Sequence, residues 1–162
     1  MKRRDFIALL GGAAAAWPLA ARAQRSTSVI GVLSGSSLVG LENRMANFRR
    51  GLAETGYVEG RNLTIESRWA EGRFYRLPAL AADLVQRDAA VIVTTGIGSA
   101  LAAKAASATT SLVFLAGDDP VKFGLVASLS RPGGTATGVA WLTSELFTKR
   151  LGLVRELVPA TA

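Results

Sequence analysis

Apolar β-branched runs alternate with helical stripes along most of this chain. Val29-Ile30-Gly31-Val32-Leu33 is an unbroken apolar run ending in Ser34-Gly35-Ser36-Ser37, the pattern of a strand buried on both faces. Leu41, Met45, Phe48 and Leu52 then recur at i, i+4, i+7 and i+11, one stripe of a helix, with Gly56 placed as a C-cap glycine. Leu63 to Trp69 alternates at period two, which suits an edge strand with one wetter face. Leu77, Leu80, Ala81, Leu84 and Val85 mark a second helix with Pro78 in its first turn, where a missing N–H costs nothing.

The pattern then repeats. Val91 to Thr95 reads as a buried strand, followed by Gly96-Ile97-Gly98 and an Ala-rich helix from Ser99 to Ser107. Leu112 to Ala116 is another strand, closed by Gly117-Asp118-Asp119-Pro120. A short helix is expected over Phe123 to Leu129, a turn at Arg131-Pro132-Gly133-Gly134, and a fifth strand from Gly138 to Leu142. Phe147, Leu151, Val154 and Val158 mark a last helix that Pro159 stops. Strands separated by helices predict an α/β fold, a doubly wound parallel sheet with helices on both faces and right-handed crossovers. The flavodoxin-like strand order 2-1-3-4-5 follows from the edge character of the second strand. Ligands in such sheets bind beyond the carboxyl ends of the strands, near the switch point between strands 1 and 3. No internal repeat, low-complexity tract or long linker interrupts the pattern.

The first 23 residues follow a different rule. Lys2, Arg3 and Arg4 precede an apolar run from Ala8 to Ala16, Pro18 breaks it, and Ala21-Arg22-Ala23 supplies the small residues of a cleavage site. This is the pattern of a secretory signal, so cleavage is expected after Ala23, with Gln24 as the new N-terminus. Arg3-Arg4 followed by Phe6 resembles a twin-arginine signal, although Lys2 stands where Ser or Thr is usual and no Lys follows Ile7. A membrane anchor is the rival reading, but the apolar stretch is too short to span roughly 30 Å of hydrocarbon. Export to the periplasm is expected, with no membrane span left after cleavage.

Composition narrows the chemistry. The chain has 19 Lys+Arg and 12 Asp+Glu; without the signal, residues 24–162 carry 15 against 11, scattered and without a run of five or more of one sign. A nucleic-acid partner would want a clustered basic patch and is not expected. There is no cysteine, hence no disulfide and no lipid tether through an N-terminal Cys. There is no histidine either, which removes Ser-His-Asp and Cys-His machinery and ordinary zinc sites. No catalytic residue, metal ligand or cofactor is assigned.

Three loops are expected to meet at the carboxyl edge. Ser34, Gly35 and Ser36 follow strand 1; Thr95 and Gly96, with Ser99 and Ala100 at the next helix start, follow strand 3; Asp119 and Pro120 follow strand 4. Small residues allow close approach of a ligand to backbone. A helix N-terminus suits a carboxylate, and Asp119 suits an ammonium group. The plainer reading is that any parallel α/β protein needs Gly and Ser at such turns and Asp at helix starts. Gly96-x-Gly98 with Asp118 further on invites a dinucleotide reading, but Leu101 stands where Gly or Ala is required, and the unit is the third in the sheet. Trp69, Phe74, Tyr75 and Trp141 are suited to stack on a ring-bearing ligand, although packing of core or rim is the commoner role of aromatics. Glu54, Glu59, Glu66 and Glu71 read as solvated faces.

A long signature runs through the middle of the chain: Gly51-Leu52, Gly56-Tyr57-Val58-Glu59-Gly60, Asn62-Leu63, Ile65-Glu66 and Arg68-Trp69-Ala70-Glu71-Gly72. Arg76-Leu77-Pro78-Ala79-Leu80-Ala81-Ala82, Leu101-Ala102-Ala103-Lys104-Ala105, Asp119-Pro120-Val121 and Gly124 to Leu129 continue it. Arg131-Pro132-Gly133-Gly134, Thr137-Gly138, Lys149-Arg150-Leu151 and Glu156-Leu157-Val158-Pro159 complete it. This resembles the periplasmic substrate-binding proteins of ABC transporters, of the tryptophan/tyrosine-receptor type, from about Val29 to the end. The resemblance implies a non-enzymatic receptor that captures a small solute, often an aromatic amino acid, and delivers it to a membrane permease driven by an ATPase. It covers the first of the two lobes that ligand closes about a hinge, so residues 24–162 are expected to form an N-terminal lobe without the second. In the two-lobed form, Ser34 and Gly35 would hydrogen-bond the ligand, Thr95 and Ser99 would meet its carboxylate, and Asp119 its cation. The chain departs from the family at Ile97-Gly98, where Thr-Pro or a similar pair is common, at Ser111-Leu112, and at the extra acid Asp118. Two rival readings remain: a truncated pseudo-receptor that binds nothing usefully, and a nucleotide-dependent α/β enzyme.

Overall fold

Among the described residues the apolar runs pair as five strands: β1 (Ser28–Ser34), β2 (Leu63–Trp69), β3 (Val91–Thr95), β4 (Ser111–Ala116) and β5 (Ala136–Ala140). All are parallel, in the order β2-β1-β3-β4-β5, the doubly wound arrangement that the sequence predicts. The computed structural model describes residues 27–141 and 143–158. The expected export signal, Leu142 at the end of the expected fifth strand, and Pro159 lie outside the described residues.

Among the described residues, four helices complete the fold: α1 (Glu42–Glu54), α2 (Leu77–Gln86), α3 (Ile97–Ala106) and α4 (Thr143–Leu157), with one 3-10 turn at Phe74–Arg76 ahead of α2. The side-chain period of two sorts each strand between the faces. Leu33, Ile92, Leu112 and Phe114 point to the face covered by Leu77, Ala81 and Leu84 of α2 and Ile97, Ala100 and Ala103 of α3, and all are buried. Ala81 and Leu84 are fully inaccessible, which explains the i, i+4, i+7 spacing read from Leu77 onward. On β5 the fit is tighter still. Gly138 pairs with Phe114, and a Cβ there would collide with the Phe114 backbone carbonyl; only glycine lets the edge strand close on β4.

The other face is less complete. Of the α1 stripe only Met45 is buried, while Phe48 and Leu52 are half-buried. Val93 and Leu115 are half-buried, and Val139 is 54% exposed. Along α4, Phe147, Leu151 and Val154 are all more than half exposed.

Three elements differ from the sequence reading by two residues or more. The helix expected over Phe123 to Leu129 does not form. Gly124 sits at φ +67, and the Pro120 carbonyl instead accepts from Leu125 N at 2.9 Å, so the segment folds back on itself as turns. Helix α3 begins two residues early, at Ile97. Strand β5 begins at Ala136, two residues before the expected Gly138.

Two polar features of the α2 side yield predictions. Thr94 is fully buried, and its hydroxyl is the one buried side-chain polar atom without a hydrogen-bond partner among the described residues. Thr94→Val removes that unpaired group at nearly constant volume, so chemical denaturation is expected to show a gain of about 1 kcal/mol; a loss of stability contradicts this. On edge strand β2, Arg68 Nε donates to Asp83 Oδ2 of α2 at 2.6 Å, and Arg68 Nη1 to Glu66 Oε2 at 3.1 Å. The Arg68 hydrogen bond, helped by Arg87, holds the Asp83 carboxyl below its ordinary 3.8. A depressed folded-state value contributes stability that is present above the unfolded value and lost as pH falls through the folded one. The stability of the wild type over Asp83→Asn is therefore expected to hold at neutral pH, to begin falling below about pH 4 and to vanish only below the depressed folded value. A difference that does not change with pH contradicts it.

Candidate functional site

Parallel pairing brings the ends of β1, β3 and β4 to one edge, with Ser34 opposite Thr95 and Thr95 opposite Leu115. Ser34 is 1% exposed. Its Oγ accepts hydrogen bonds from Thr95 Oγ1 at 2.7 Å and from Ser36 N at 3.2 Å. Ser34 therefore fastens β1 to β3 at the switch point and shapes the turn that follows. Ser36 stands exposed beyond it, and Gly35 is buried.

After β3, Gly96 takes φ +87 and ψ 151, a conformation open to glycine, and its N–H donates to Leu115 O at 2.7 Å. The chain thus turns at once from strand into α3. The first N–H groups of α3 have no acceptor within the helix and give this edge a partial positive charge. Ser99 and Ala100 are buried, Thr95 is half-buried and Gly96 is exposed. After β4, Asp119 is half-buried and its Oδ1 accepts from Val121 N at 2.9 Å, which fixes the turn at the buried Pro120. The structure thus collects all nine sequence-selected residues at one sheet edge. Ser36, Gly96, Thr95 and Asp119 face outward to differing degrees, whereas Ser34, Gly35, Ser99, Ala100 and Pro120 are buried.

Beside this edge lies a hollow of about 650 Å³ between α1 and the open sheet face. Val32, Val93 and Leu115 form its floor and Met45 and Phe48 of α1 its wall. Thr95, Gly96, Gly117 and Trp141 stand at the carboxyl edge, with Arg44 and Asn47 of α1. Met45 and Phe48 belong to the helical stripe in the sequence, but nothing in the sequence singles out Arg44 or Asn47, which read as solvated positions. Gly117 reads in the sequence only as part of a turn.

The loop after β2 also reaches the edge, which the three-loop expectation omits. Ala70 N donates to Ser34 O at 2.9 Å, Gly72 N to Gly35 O at 2.8 Å and Glu71 N to Ser36 O at 3.4 Å. These bonds lay the Phe74 ring on Gly35, where a Cβ would come within 2.6 Å of Phe74 Cε1. Among the described residues, no group of three or more His, Cys, Asp or Glu is arranged to hold a metal. No described helix is long and apolar enough to cross a membrane.

The family model for ABC transporter substrate binding proteins matches residues 27–162. A tyrosine-binding protein of Clostridioides difficile (strain R20291) is 31% identical over 119 residues, which cover 74% of this chain and 34% of that protein. Among solved structures, a conserved domain protein from Vibrio cholerae is similar with a TM-score of 0.73 at 27% identity, covering 83% of this chain and 45% of that one. An ABC domain in complex with L-Trp from Streptococcus pneumonia gives a TM-score of 0.64 at 28% identity, covering 71% and 39%. The chain spans about a third of the length of the tyrosine-binding relative and less than half of each of these solved chains. By its sequence match and its sheet, this chain belongs to the ABC transporter substrate-binding protein family.

Proposed function

We propose that this chain is the first lobe of a non-enzymatic receptor that captures a small zwitterionic solute of the aromatic amino-acid type. Residues 1–23 direct export, the mature lobe begins at Gln24 and works in the periplasm, and the captured solute passes to a permease driven by an ATPase. The observation that carries this reading is the sheet edge where Ser36, Gly96 and Asp119 stand on neighbouring turns, beside an apolar hollow of about 650 Å³ that Thr95, Gly96 and Gly117 border. The ligand carboxylate meets the N–H groups that open α3, the ammonium meets Asp119, and the side chain lies along the apolar surface open at that edge, the usual division of labour in a small-molecule site. The tyrosine-binding relative and the neighbour solved with L-Trp support this ligand class.

A second reading, a lobe without useful binding, is favoured by the exposed apolar residues of α4. Titration calorimetry of the mature chain with L-tyrosine and L-tryptophan separates the two. Saturable binding is expected, with a rise in melting temperature as ligand is added. Asp119→Asn keeps an oxygen for Val121 N and removes the charge, so it is expected to weaken binding about tenfold. An absence of heat and of thermal shift with both amino acids supports the non-binding reading.

A further inference from the structure

Phe74 is 65% exposed, yet its position is strictly defined. The Ala70–Gly72 loop is bonded to Ser34, Gly35 and Ser36 through three backbone N–H groups. Holding it there requires positive φ at two successive residues, Glu71 at 57° and Gly72 at 77°. Among the described residues, Glu71 and Asp88 alone show that conformation outside glycine. The loop delivers the Phe74 ring onto Gly35, and with a methyl group at position 35 the ring would have to move. A ring of this size usually buries most of its surface. Here it lies against a glycine at the end of β1, leaving most of its area open at the edge that Ser36, Gly96 and Asp119 share.

We propose that Phe74, seated on Gly35, is the specificity-determining residue of this edge: its open surface packs against the unsaturated ring of the solute and separates aromatic from aliphatic amino acids. This rests on the reading that the edge binds amino-acid-like solutes, and adds the residue that selects among them. Polar anchors at a helix end and at Asp119 grip the backbone groups that every amino acid carries, so they cannot discriminate side chains. A flat, open, fixed aromatic surface can, because an aromatic pair gains beyond what apolar area alone provides. Gly35 acts through Phe74 as a positioning residue.

The test is calorimetry on the mature chain with L-tryptophan, L-tyrosine and L-leucine, for the wild type and for Phe74→Leu, Phe74→Tyr, Gly35→Ala and Tyr75→Leu. Melting curves of each variant confirm that it folds. The wild type is expected to favour L-tryptophan over L-leucine. Phe74→Leu is expected to cut that ratio by up to about tenfold, Phe74→Tyr to restore it, and Gly35→Ala to lower it with Phe74 still present. Tyr75, 80% exposed and not among the atoms nearest Gly35, serves as the control whose loss keeps the ratio. A tryptophan-to-leucine ratio in folded Phe74→Leu equal to that of the wild type overturns the assignment while the amino-acid reading stands. A wild type that binds none of the three overturns both.

Discussion

Parallel pairing is the constraint on which the rest of this molecule depends. Five strands running the same way must all end on one edge, so the turns after β1, β2, β3 and β4 meet whatever their sequence separation. Order at that edge then comes from a few polar contacts. The hydroxyl bond from Thr95 to Ser34 spans 61 positions of sequence at 2.7 Å, inside a region where an unmatched polar group would be costly. Gly96 N bonded to Leu115 O and Ala70 N bonded to Ser34 O tie the neighbouring turns to the same point. The residues open to solvent are therefore mounted on a fixed base, which is what a binding site needs and what four separate loops would not provide.

The two faces of the sheet divide the work. On the α2 and α3 side, Leu33, Leu84, Ile92 and Phe114 close a dry core, and the Arg68–Asp83 pair secures its wetter margin at β2. On the α1 side the apolar floor of Val32, Val93 and Leu115 is left partly uncovered, and that gap is the hollow beside the site. Burial on the first face supplies the stability that lets the second remain open. The exposed Phe147, Leu151 and Val154 of α4 extend the same uncovered character beyond the sheet, and an apolar surface of this kind is the usual mark of a partner or ligand surface.

Much of this was legible in the sequence because period and turn chemistry are local signals. The unbroken run Val29 to Leu33 and the alternating run Leu63 to Trp69 identified a central and an edge strand, and their contrast gave the strand order. The nine selected edge residues were legible as turns that had to converge. Their burial was not: Ser34 looks like a ligand contact in sequence, and only the register that puts Thr95 opposite it makes it a fastener. The expected helix over Phe123 to Leu129 failed because Gly124 at φ +67 outweighed the apolar spacing around it. In the sequence Phe74 is one of four aromatics, and its seat on Gly35 depends on a contact across 39 positions that no periodicity encodes.

The central claim is that one sheet edge, and no other surface, receives the solute. Amide chemical-shift mapping of the isotopically labelled mature chain during titration with L-tyrosine tests it most directly. The account predicts shifts concentrated at Ser36, Gly96, Gly98, Gly117 and Asp119, with the Lys104 to Ala108 end of α3 and its following turn unmoved. Shifts centred on that opposite end, or spread evenly over the chain, would contradict it.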